Sequence, residues 1–89
     1  KLYQRSVDLS LGGIAFKTSH KIEVNTDIKL VIYTRPHLVP IFIDCKVVYS
    51  QYVKERTYRT ALKFEHLTLT QEKLLTQHMM QAQTHFNPC

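Results

Sequence analysis

Two alternations of apolar and polar residues dominate the middle of the chain. Ile41, Ile43, Cys45, Val47 and Tyr49 share one face of an extended segment, and Phe42, Asp44, Lys46 and Val48 share the other. The pattern returns at Tyr58–Glu65, where Tyr58, Thr60, Leu62 and Phe64 lie opposite Arg59, Ala61, Lys63 and Glu65. Both segments predict half-buried strands. Ile28–Thr34, dense in β-branched and aromatic residues, predicts a third. Arg5–Leu9 and Ile14–Lys17 flank a polar turn and predict a hairpin. Between these elements lie Lys21–Asp27, with Asn25 and Asp27 as turn residues, and Ser50–Thr57, which reads as a charged loop. Arg35–Pro40 is a connection bracketed by two prolines that suit no central strand.

After Glu65 the period changes. Thr68-Leu69-Thr70-Gln71 has the form of a capping box, and a helix is expected from about Gln71 to Gln83. Leu75, Met79, Ala82 and Phe86 recur at helical spacing, with Leu74 and His78 beside them. Such a stripe packs on the sheet, or, left exposed, makes a dimerisation face. Short half-buried strands followed by one helix predict a mainly β fold: a small antiparallel β-barrel with a C-terminal α-helix.

Length and charge narrow the partners. Eighty-nine residues make a single domain, with no internal repeat or linker in the sequence. The start at Lys1 rather than Met leads to the expectation of native sequence upstream. The net charge of +5 is scattered. It favours nucleotides, nucleic acid or acidic protein faces, and serves a solvated surface equally well. No apolar stretch behind a basic start reads as a secretory leader and no run reaches membrane-spanning length, so neither a leader nor membrane insertion is expected. Cys45 falls in a strand pattern as a buried thiol and Cys89 lies at the end, which is no disulfide framework and fits a cytoplasmic location.

Candidate chemistry concentrates at Asp8-Leu9-Ser10-Leu11-Gly12-Gly13. Two short hydrogen-bonding side chains stand beside glycines that can adopt φ > 0. The segment is either a hairpin turn organised by its own side chains or a cup for a ligand rich in donors and acceptors, such as a guanine base. Arg59 and Lys63, with Ala61 leaving room between them, can approach an anion; solvation is the preferred reading. Tyr49, Tyr52 and Tyr58 can stack on a purine, with core or rim packing preferred for each. The histidines show no metal-ligand spacing, so no metal is expected, and no cofactor. No nucleophile–base or carboxylate pair points to an enzyme. Tyrosines and basic residues do not alternate as a single-strand nucleic-acid face requires, so no nucleic-acid partner is expected.

The stretch Val7-Asp8-Leu9-Ser10-Leu11-Gly12-Gly13-Ile14 resembles the D/N-x-S-x-x-G hallmark of PilZ domains. Tyr58-Arg59-Thr60-Ala61-Leu62-Lys63-Phe64 is similar to that family's last barrel strand, Y-R-x-G-x-x-F, with Ala61 where glycine is usual. A terminal helix opening Leu-Thr also fits, and the resemblance covers nearly the whole chain in order. It implies a β-barrel and a regulatory receptor for cyclic di-GMP, with another protein or domain as the partner that senses binding. It also implies that Asp8 and Ser10 bond the guanine and Gly13 holds the turn, so the ligand-binding candidates are Asp8, Ser10, Gly12, Gly13 and Arg5. The family's upstream R-x-x-x-R is not found. Lys1 and Arg5 have the spacing K-x-x-x-R, yet Arg5 belongs with the motif's own strand. The expectation is therefore one domain over residues 1–89 without its N-terminal arm, and weak binding where the arm is missing. The alternative function is a PilZ-like protein–protein interaction module that binds no nucleotide.

Overall fold

The computed structural model describes residues 7–34 and 37–86, the side chains of 81–86 excepted. Five strands and one helix follow in order: β1 (Asp8–Leu9), β2 (Gly13–Thr18), β3 (Asp27–Thr34), β4 (Val39–Lys54), β5 (Thr57–Glu65) and α1 (Leu69–Phe86). All strand pairs are antiparallel, and the sheet order is β1-β2-β5-β4-β3. The mainly β fold with a terminal helix is as expected; closure into a barrel is not. Among the described residues β1 pairs only through Asp8 and Leu9, too short a strand to reach round to β3, so the sheet stays open with β1 and β3 at its edges.

The alternation of β4 builds the core. Ile41, Ile43, Cys45 and Val47 are buried against Leu62 and Phe64 of β5. Ile14 and Phe16 of β2 and Ile28, Leu30 and Ile32 of β3 pack on this face. Leu75 of α1 closes it from above and is fully buried. Leu74 packs beside Leu75, and His78 and Met79 are half-buried, so the predicted stripe faces the sheet as far as its side chains are described. The capping box forms: the Gln71 N–H donates to Thr68 Oγ1 at 3.1 Å, and the Thr68 N–H donates to Gln71 Oε1 at 3.0 Å. With Thr68 as N-cap the helix starts at Leu69, two residues before the expected Gln71.

Two expectations for β4 fail, one through a bulge and one through the length of its ladder with β5. Val47 pairs with Leu62 and Tyr49 with Ala61, so Val48 is an extra residue on β4, a β-bulge. The bulge reverses the alternation beyond it. Tyr49 leaves the core face, and Ser50 takes the buried place opposite Thr60. The strand then runs on to Lys54, so the predicted loop Ser50–Thr57 shrinks to Glu55 and Arg56, with Arg56 at φ 57°. Residues 51–54 are exposed, and the ladder to β5 rather than burial holds them extended. Pro40 sits at the start of β4 before β5 pairs with it, where no ladder N–H is needed on that side. Among the described residues no helix is long and apolar enough to cross a membrane.

Candidate functional site

The outer face of the sheet carries the candidate site. Asp8 pairs with Ala15, Ala15 with Ala61, and Ala61 with Tyr49, so these four residues form one row across β1, β2, β5 and β4. The central pair are alanines, and above them the surface drops into a hollow of about 380 Å³. Asp8 and Ser10 bound it at one end, Tyr49 at the other, and Arg59 lies along its side. Arg59 is two residues from Ala61 and therefore shares its face. Its Nη2 crosses the small Ala15 position to donate to Asp8 Oδ2. Lys17 pairs with Arg59, and Lys63 pairs with Gly13, which sets two further exposed cations on the same face.

The turn is organised by Ser10. The Ser10 N–H donates to the Gly13 carbonyl at 3.0 Å, and the Gly12 N–H donates to Ser10 Oγ at 3.2 Å. The hydroxyl itself donates to the Gly13 carbonyl at a long 3.4 Å. Asp8 takes no part in these bonds. Neither glycine has a positive φ, contrary to the expectation that the turn exploits that freedom. Gly13 answers a different need. A Cβ there would overlap the carbonyl oxygen of Leu62, so β2 can pair with β5 at this register only with glycine. At Gly12 a Cβ would meet nothing closer than Ser10 Oγ, at 3.8 Å.

Of the expected site residues, Asp8, Ser10 and Gly13 line one hollow, Gly12 lies beside it in the turn, and Arg5 falls outside the described residues. Two lining residues went the other way in the sequence. Arg59 was expected to be solvated and instead pairs with Asp8. Tyr49 was expected on the core face and is turned to the hollow by the bulge. The small residues at 15 and 61 were the one sequence signal of a depression, and only the register shows that they are neighbours. Tyr52 and Tyr58 pack on each other edge to face, with ring centroids 5.8 Å apart.

Elsewhere on this face, Lys29 bonds Asp44 at 2.8 Å and Lys46 bonds Asp27. The hydrogen bond from Lys29 holds the Asp44 carboxyl below the ordinary carboxylate range, and the same contact raises Lys29. These are cross-strand pairs of β3 and β4, away from the hollow.

No curated protein and no solved structure matches the chain. The family model described as PilZ domain matches residues 1–81. The match runs through the Asp8–Gly13 turn, all five strands and most of α1, and on this evidence the chain belongs to the PilZ domain family.

Proposed function

We propose that this domain is a regulatory receptor module for cyclic di-GMP that changes its contacts with another protein or domain when the ligand binds. PilZ domains are a family of cyclic di-GMP receptor and regulatory modules, not enzymes. The observation that carries the reading is the hollow over Ala15 and Ala61, where a carboxylate and a hydroxyl face a guanidinium and an aromatic ring. A guanine offers N1–H and N2–H donors to the Asp8 carboxylate and a π face to Tyr49. Lys17 and Lys63 give the face the positive charge that ester phosphates need. Gly13 supports the site by letting β2 pair closely with β5. Arg5, or arginines on an upstream arm, would grip the phosphates. An arm ordered by the ligand would alter the surface offered to the partner. The setting is the bacterial cytoplasm, with neither nucleic acid nor membrane as a partner.

The test is calorimetric titration of cyclic di-GMP into the full native chain, with Asp8→Ala and Ser10→Ala alongside. A charge-assisted contact of about 1.5–3 kcal/mol predicts a roughly 10- to 150-fold loss for Asp8→Ala. Micromolar or tighter binding that both folded variants lose supports the receptor. No heat from a folded protein at high ligand concentration overturns it. The second reading is a protein-binding module without nucleotide. It is favoured by one observation: Ser10 already spends its hydroxyl within the turn.

A further inference from the structure

We propose that Arg59 is an internal competitor for the guanine position. In the free protein it holds the Asp8 carboxylate, and ligand binding exchanges that contact. The inference rests on the receptor reading and adds a residue that sets its affinity.

The chemistry of the two donors is the argument. A guanidinium presents parallel N–H groups in a fork that matches a carboxylate. The Watson–Crick edge of guanine presents N1–H and N2–H in the same sense. Arg59 Nη2 already donates to Asp8 Oδ2 from within the hollow that the base would enter. A base entering this hollow meets the Asp8 carboxylate where the guanidinium already holds Oδ2, and the two donors compete for that oxygen. Lys17 and Lys63 share the face and do not make this contact. Among the described residues, only Arg59 makes an ion pair with Asp8, and it does so across β2, where the neighbouring outward position is the small Ala15.

The pair is built to open. The Asp8 side chain is 76% exposed and that of Arg59 26%, so water can replace the guanidinium at the carboxylate. Surface ion pairs of this kind are weak. An equilibrium of that strength between paired and open Asp8 divides the competent fraction, and raises the apparent Kd, by about two- to sixfold.

The experiment titrates cyclic di-GMP into the full native chain and into Arg59→Gln, Arg59→Lys and Asp8→Ala, each checked for folding by urea denaturation. Arg59→Gln keeps most of the stem and removes the charge. Binding to it about two- to sixfold tighter than wild type, with Arg59→Lys between the two, is the expected result. Equal or weaker binding by Arg59→Gln overturns the competitor role, and loss of binding in Asp8→Ala then leaves the receptor reading standing. Silence from wild type and Arg59→Gln alike overturns both. A readout on the side chain completes the test. The Arg59 Nε–H resonance should move, on addition of cyclic di-GMP to wild type, away from the position it holds when paired with Asp8. A resonance that stays at the paired position in the saturated complex overturns the exchange.

Discussion

Replacing Gly13 by alanine tests whether this residue serves the strand ladder rather than a left-handed turn. The added methyl would overlap the Leu62 carbonyl oxygen and lie 3.3 Å from its carbon. Both atoms are backbone of a central strand, so no side-chain rotation relieves the clash. β2 must move away from β5, and overpacking of this kind costs about 1–3 kcal/mol. The hydrogen bond from the Phe64 N–H to the Gly12 carbonyl, 3.0 Å long, spans the same junction. Stretching it costs a further ~0.5–1.5 kcal/mol. Against this, alanine reduces the entropy of the unfolded chain by the equivalent of about 0.4–1 kcal/mol. The net expectation is a loss of about 0.5–4 kcal/mol, read as a lower urea midpoint at unchanged slope. Gly12→Ala is the matched control. Its Cβ meets only Ser10 Oγ at ordinary contact distance and its φ is not positive, so stability should hold or rise by up to about 1 kcal/mol. If Gly13→Ala unfolds at the wild-type midpoint, or Gly12→Ala loses as much, the register argument is wrong.

Two further predictions concern the core. Four hydroxyl and amide groups form a chain under the sheet: the Ile22 N–H donates to Ser50 Oγ at 3.1 Å, and Thr60 Oγ1 lies 2.9 Å from both Ser50 Oγ and Thr18 Oγ1. Thr18 in turn donates to the His20 carbonyl. Thr60→Val keeps the shape, breaks the chain in the middle and should cost about 1–3 kcal/mol in urea unfolding, whereas Thr60→Ser should retain the hydrogen bonds. Burial pushes the Cys45 thiol from its ordinary 9.0 up to about 11. The folded state thus holds the proton more tightly than the unfolded chain, so the contribution is complete below pH 9 and is lost as pH rises through about 11. Wild type should lose stability relative to Cys45→Ala over that window, and at pH 8 Cys45 should react with a thiol reagent only as fast as the protein opens.

Much of the scaffold was legible because its signals are local. The capping box at Thr68 and Gln71 is read within four residues, and the helix followed. The buried faces of β4 and β5 appear as plain alternation. The bulge at Val48 does not, since nothing in Val47-Val48-Tyr49 distinguishes a bulged valine from a paired one. It arises from how β4 fits β5, and it carried Tyr49 from the expected core face to the hollow. The extension of β4 through Lys54 escaped for a related reason: exposed residues held by a ladder show no apolar period. Asp8 was found from its motif. Its partner Arg59 lies two strands away, and a sequence shows that kind of proximity only when the full register is known.

The hollow is defined by what is small. Between Asp8 on β1 and Tyr49 on β4 the row crosses three strand spacings, roughly 14 Å at ~4.8 Å each, and rises no higher than a methyl group. A leucine at 15 or 61 would fill that span, and at 15 it would also crowd the path from Arg59 to Asp8 across β2. Ala15 therefore leaves room for both states of the proposed site, the ion pair and the bound base, and Ala61 leaves room for the base. This is why Ala61 in the place of the usual glycine is compatible with a binding surface: it adds one methyl to the floor and leaves the path across it open. The core lies on the opposite face of the same strands, behind Leu62 and Val47. Chemistry on the outer row can thus change while the fold beneath it stays the same.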